Sequence, residues 1–264
     1  MAHWSFIDTG TQARSRHAGH RRVRHLTLKA QRALALLAAL TATLSQPAHA
    51  AAQAAEFAVR WDPRQGGPTT PQDALREQHL KASAPSHFAV QYFEFTPPPG
   101  LPPGFAAILR QRLTGGEAEL TFKLRGDTPL PARPTLKQWD CPLGATKDRK
   151  DEVDLSFIGV GRVLTAYSRS CNVESRDTGL QPPTALQARP KGCGSTMTRL
   201  RAGKLKIEQW RMADGSTLLE ASRPGRHSAA SMRAFEREVL KPLLTLKIQP
   251  LEHSKSALGG DCAK

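Results

Sequence analysis

Glu117-Ala118-Glu119-Leu120-Thr121-Phe122-Lys123-Leu124-Arg125 puts four apolar side chains on one face and five polar ones on the other. A period of two is the mark of a strand buried on one side, because successive side chains of a pleated chain point to opposite faces. The same period runs through Glu56, Ala58 and Arg60 against Phe57, Val59 and Trp61. It recurs in Glu152, Asp154 and Ser156 against Val153, Leu155 and Phe157. Shorter stretches at 88–95, 106–112, 163–170, 204–211 and 217–223 bring the expectation to eight strands. Gly115-Gly116 and Asp214-Gly215 are turn sequences that join antiparallel neighbours. Two helices are expected, one from Pro71 to about Leu80 and one from Ser228 to about Leu246. The second carries Met232, Phe235, Val239 and Leu243 at helical spacing, and Pro242 should kink or end it. The Pro-rich stretches 96–103, 127–134 and 180–190 read as loops, since strand patterns resume after them. The chain therefore reads as one mainly β (α+β) domain.

The N-terminus has a different physics. Six arginines and one lysine lie between Arg14 and Arg32 against the single acid Asp8, and residues 33–44 (ALALLAALTATL) then carry no charge. Ser45-Gln46-Pro47 breaks the helix ahead of Ala48-His49-Ala50, a small-x-small cleavage site. That order is a secretory signal peptide over residues 1–50, its apolar run too short to span a bilayer. The expected working domain is 51–264, exported to a periplasmic or secreted location, with no transmembrane anchor after cleavage. Of the 38 Lys+Arg and 23 Asp+Glu in the whole chain, the domain keeps 31 and 22, a net charge of +9. That surplus favours anionic partners without choosing among them.

Cys141, Cys171, Cys193 and Cys262 all fall in this domain, and none has Cys-x-x-Cys spacing. An even number in an oxidising compartment implies two disulfides with three possible connectivities. The expected pairing is Cys171–Cys193, closing a Pro-rich excursion between strands, with Cys141–Cys262 the remainder. Trp61, Trp139 and Trp210 read as core or barrel-end residues rather than base-stacking platforms. His79, His87, His227 and His253 lack metal-ligand spacing, and no Gly-x-Ser-x-Gly elbow or phosphate-binding Gly loop is present.

The polar faces carry both signs of charge within single strands: Glu56 and Arg60, Glu119 and Lys123, Lys206 and Glu208, with Arg110 and Arg112 on a neighbouring candidate. Two readings remain open on these residues alone. They are solvated outer faces with weak cross-strand pairs. Or the sheet closes, and one face of every strand lines a lumen.

The order of the motifs resembles the CYTH-like, or triphosphate tunnel metalloenzyme, superfamily over most of residues 51–264. Glu56-Phe57-Ala58-Val59-Arg60 stands where that family has Glu-x-Glu-x-Lys, and Tyr92-Phe93-Glu94-Phe95-Thr96-Pro97 matches an aromatic strand. Leu109-Arg110-Gln111-Arg112, Leu120-Thr121-Phe122-Lys123 and Asp151-Glu152-Val153-Asp154 follow in the family's order. Lys206-Ile207-Glu208, Leu219-Glu220-Ala221-Ser222 and, near the C-terminus, Ser254-Lys255 complete it. The resemblance implies a closed, tunnel-like antiparallel β-barrel with a few peripheral helices. It also implies a triphosphate, a polyphosphate or a similar small phosphorylated or polyanionic ligand; nucleic acid is not expected, because it would rest on net charge alone and exported proteins seldom meet it. Arg60, Arg110, Arg112, Lys123 and Lys255 would bind phosphate. Glu56, Glu152 and Glu220 would be the catalytic and metal-binding carboxylates, holding Mg2+ or Mn2+ or positioning water. The departures fall on the acidic half, where Ala58 and Ser222 replace family carboxylates. The implied function is thus binding, with or without hydrolysis; the alternative is a non-catalytic polyanion-binding or structural envelope protein.

Overall fold

The alternating stretches are realised as nine strands closed into a barrel. The computed structural model describes residues 53–97, 99–131, 139, 141–144 and 148–253, with the side chain of Cys193 left out. The expected signal peptide, Lys255 and Cys262 lie outside the described residues. In chain order the strands are β1 (Ala54–Trp61), β2 (Ser86–Glu94), β3 (Phe105–Thr114), β4 (Glu117–Gly126) and β5 (Asp148–Gly159). They continue as β6 (Arg162–Ser175), β7 (Arg189–Ala202), β8 (Leu205–Arg211) and β9 (Thr217–Arg226). Around the barrel the order is β1-β5-β6-β4-β3-β2-β7-β8-β9, with β9 returning to β1.

Two expectations are corrected. Among the described residues there are nine strands rather than eight, because β7 begins Arg189-Pro190-Lys191-Gly192-Cys193-Gly194, a run of breakers that hides its alternation. The barrel is also mixed rather than wholly antiparallel, since β1 pairs parallel with β5 from Ala55↔Val153 to Ala58↔Ser156. All other neighbours are antiparallel. The Gly115-Gly116 turn forms as expected: Thr114 faces Glu117, and both glycines have positive φ (53° and 86°), as a two-residue hairpin of matching twist requires.

The apolar faces point outward. Phe57 of β1 stacks on Phe235 at 5.9 Å between centroids, and Phe157 of β5 lies 4.9 Å from the same ring. Phe235 belongs to the C-terminal helix, so that helix lies against the outer wall, together with Val239, Leu240 and Leu243. A first helix, α1 (Pro71–Glu77), adds Ala74 and Leu75 to the same cluster and is capped by Thr70, whose hydroxyl accepts from the Asp73 N–H. The C-terminal helix runs as α2 (Ala229–Phe235), a π turn (Glu236–Leu240) and α3 (Lys241–Thr245). Pro242 does not end the helix as one expectation had it: a π turn precedes this residue, which lacks an N–H, and helical residues continue to Thr245.

A second outer cluster joins Leu109, Leu120, Phe122 and Leu124 to Trp139 and Leu143 of the 127–147 loop. The disulfide lies here, linking Cys141 to Cys171 with Cα atoms 5.9 Å apart. This overturns both expected pairs, Cys171–Cys193 and Cys141–Cys262. Cys171 sits on β6 and Cys193 on β7, and three strands separate these around the barrel. The loop that covers Phe122, the register partner of Cys171, brings Cys141 to it instead. Trp61, Trp139 and Trp210 are fully buried, in line with the core reading. Among the described residues no helix is long and apolar enough to cross a membrane.

Candidate functional site: a charged barrel lumen

With the odd positions of β1 and β5 turned to the helices, Glu56, Ala58, Arg60, Glu152, Asp154 and Ser156 face inward. The register carries this face round the barrel to Arg199 on β7, Lys206 and Glu208 on β8, and Glu220 on β9. On β3 and β4 it carries Arg110, Arg112, Glu119, Thr121, Lys123 and Arg125. Part of the lumen is filled by Val90, Tyr92, Met197, Trp210 and Leu218, an apolar cluster on the same face. The rest holds charges at close quarters.

At one end three guanidinium groups meet two carboxylates. Arg112 donates to Glu119 at 3.4 Å, and Arg110 lies 3.9 Å from the same oxygen. The Thr121 hydroxyl also donates to Glu119, at 3.0 Å. Arg199 grips Glu208 through Nε at 2.8 Å and Nη2 at 2.7 Å, and the Trp210 indole N–H donates to the other Glu208 oxygen at 3.0 Å. Arg112 also stands 6.0 Å from the Trp210 ring centroid. Burial lowers the pKa of Arg112 to about 10, helped by repulsion from Arg110 and Arg199 and resisted by Glu208 and Glu119. Burial works to raise Glu119, but Arg112, Arg110 and the Thr121 hydrogen bond hold it below the usual carboxylate range. The Nε atoms of Arg110 and Arg112 and the Tyr92 hydroxyl are buried here without a hydrogen-bond partner. A cavity of about 440 Å³ opens beside Arg112, Glu119 and Arg199, with Phe88, Glu174 and Arg176 around it.

Elsewhere in the lumen the charges are paired. Arg60 donates from Nε to Glu220 at 2.6 Å and from Nη1 to the Ser156 hydroxyl at 2.9 Å. Lys206 holds Glu56 at 2.5 Å, and Lys150 pairs with Glu152. Lys123 and Arg125 both reach Asp154, at 2.8 and 3.3 Å. Burial pushes Glu152 above the usual carboxylate range, against the pull of Lys150 and with a push from the charge of Glu56. The residues singled out from sequence are thus brought to one inner face, Lys255 apart. They do not form the expected set, however. Glu56, Glu152 and Glu220 each engage a different cation. Among the described residues no group of three or more His, Cys, Asp or Glu side chains is arranged to hold a metal. Lys123 is committed to Asp154, while among the described residues of the lumen Arg110, Arg112 and Arg125 each keep a buried Nε without a hydrogen-bond partner. Sequence reading missed Arg199, because it lies on the unrecognised β7, and Lys150, which sits two residues before Glu152 and therefore on the same face.

A closed barrel with its apolar side covered from outside and charges within is the tunnel form that the CYTH-like resemblance implies. No protein-family model and no curated protein matches the sequence. Solved structures do show likeness. The PH1012 protein of Pyrococcus horikoshii OT3 is 14% identical with a TM-score of 0.43, over 77% of this chain and 98% of that one. An adenylate cyclase candidate from Vibrio parahaemolyticus is 10% identical with a TM-score of 0.45, over 80% and 99%. HpAC1 of Hippeastrum, an adenylyl cyclase candidate with a dominant triphosphatase activity, is 14% identical with a TM-score of 0.42, over 79% and 96%. At these values the function of this chain is argued from its own lumen.

Proposed function

We propose that this protein binds a small phosphorylated anion at the Arg110–Arg112–Arg199 end of the lumen, as a binder rather than a hydrolase. The observation that carries the reading is Arg112. Its guanidinium is 13% exposed, has a pKa lowered to about 10, and keeps a buried Nε with no acceptor. A buried cation in that state gains from an anion that supplies both countercharge and acceptor oxygens. Arg110 offers a second unused Nε beside it, and the adjoining cavity of about 440 Å³ has room for a small ligand. Hydrolysis asks Glu56, Glu152 and Glu220 to hold a metal or position water. Their engagement with Lys206, Lys150 and Arg60 favours binding over turnover. An exported location belongs to the same proposal, supported by the signal-like residues 1–50 and by the Cys141–Cys171 disulfide.

Calorimetric titration with inorganic phosphate, pyrophosphate and tripolyphosphate tests the site. Arg112→Ala is expected to weaken binding by at least about tenfold, roughly 1.4 kcal/mol. Arg76→Ala, on the exposed surface of α1, should leave it unchanged. Equal affinity in wild type and Arg112→Ala would place any binding elsewhere and sink the reading.

A further inference from the structure

Resting on that reading, we infer that Tyr92 is a further binding residue, its phenolic hydroxyl donating to the bound anion from the β2 side. Net charge does not define the site, since Glu117 and Glu174 line the cavity together with Arg112 and Arg199. Hydrogen-bonding capacity does. Tyr92 is 3% exposed, and its hydroxyl is buried with no hydrogen-bond partner among the described residues. It lies on the inner face of β2, in the cluster that holds Val90, Met197, Trp210 and Leu218. Across β2 and β3 the register partner of Tyr92 is Arg110, and that of Val90 is Arg112. The hydroxyl therefore belongs to the patch of wall that carries both guanidinium groups. Trp210, of the same cluster, has its ring centroid 6.0 Å from the Arg112 guanidinium carbon.

A tyrosine buried for the sake of the fold spends its hydroxyl on a protein partner. Tyr92 does not. Nor do the neighbouring Nε atoms of Arg110 and Arg112 satisfy it, although each is a donor and a phenol oxygen can accept. Adjacent strands thus hold three buried groups that can donate and leave all three unused. An oxyanion, which only accepts, satisfies them together, and hydrogen bonds to an ionised acceptor are the stronger kind. Left unpaired, the hydroxyl costs the unliganded fold its desolvation. The bound anion recovers that cost.

Calorimetric titration of the full chain with inorganic phosphate, pyrophosphate and tripolyphosphate, wild type beside Tyr92→Phe, tests the inference at low and high salt. Phenylalanine keeps the ring and deletes only the hydroxyl. Affinity for the anion that binds should fall by about tenfold, the scale of a hydrogen bond to a charged group. Its salt dependence should stay that of wild type, because no charge is removed, whereas Arg112→Ala should flatten it. The urea midpoint of unliganded Tyr92→Phe should equal or exceed that of wild type. Unchanged affinity in Tyr92→Phe overturns the inference and leaves the proposed function standing. So does weaker affinity accompanied by a lower urea midpoint, which marks the hydroxyl as a support of the fold. No binding of any of the three anions by the wild-type chain overturns both.

Discussion

Arg60 lies deep in the lumen, and its replacement by methionine measures how dry that lumen is. The pair with Glu220 is 2.6 Å long, and the two side chains are 8% and 1% exposed. Methionine keeps most of the bulk and removes the charge, which leaves the Glu220 carboxylate buried without its guanidinium. Breaking one side of a buried pair costs about 3–5 kcal/mol. Glu208, the register partner of Glu220 on β8, adds repulsion in the same direction. For a domain of this size that is a fall in Tm of roughly 6–20 °C. The double variant Arg60→Met/Glu220→Gln removes both charges and should recover more than half of the loss, a coupling of at least about 2 kcal/mol. Urea unfolding followed by tryptophan fluorescence suits the measurement, since Trp61, Trp139 and Trp210 are all fully buried. A single-variant loss under about 1 kcal/mol is what a solvated pair gives. That result would mean the lumen is open to water and the argument from desolvation fails.

Glu152 gives a pH signature: because burial raises its pKa, its folded form holds a proton that the unfolded chain has released. Its contribution is therefore intact below the ordinary carboxylate pKa of 4.5 and is lost as pH rises through the higher folded value, so Glu152→Gln should gain on wild type as pH rises above 4.5. A difference between the two unfolding curves that stays flat with pH refutes this. Non-reducing peptide mapping should find Cys141 linked to Cys171, and Cys141→Ser should lose about 3–4 kcal/mol by the chain-entropy relation for a 30-residue separation. N-terminal sequencing of extracytoplasmic material should start at Ala51, because Ala48 and Ala50 suit the small pockets of a signal peptidase; material that retains residues 1–50 would count against export.

Local alternation revealed strands wherever one face was apolar and the other charged, as in β1, β4 and β5. It was silent for β7, where Pro190, Gly192 and Gly194 interrupt the pattern. It also gave no sign of the parallel β1–β5 pair, because closure joins residues about a hundred positions apart and leaves no trace in either strand alone. The disulfide failed for the same reason. Strand order, not spacing, separates Cys171 from Cys193, and a loop folding back over Phe122 selects Cys141.

The site was legible by face but not by partner. Periodicity alone says that Glu56 and Arg60 share a side, and it cannot say whether that side is wet. The answer comes from Phe57 and Phe157 packing on Phe235, which assigns the apolar side to the outer wall and forces the charges inward. Once inside, a charge must find a countercharge, and register decides which. Arg60 meets Glu220 across 160 positions and Lys206 meets Glu56 across 150. Reading the basic residues as phosphate ligands and the acidic ones as metal ligands treats the two sets as independent. The register makes most of them partners of each other, so the cations and carboxylates of the lumen cannot be assigned to ligand and metal separately.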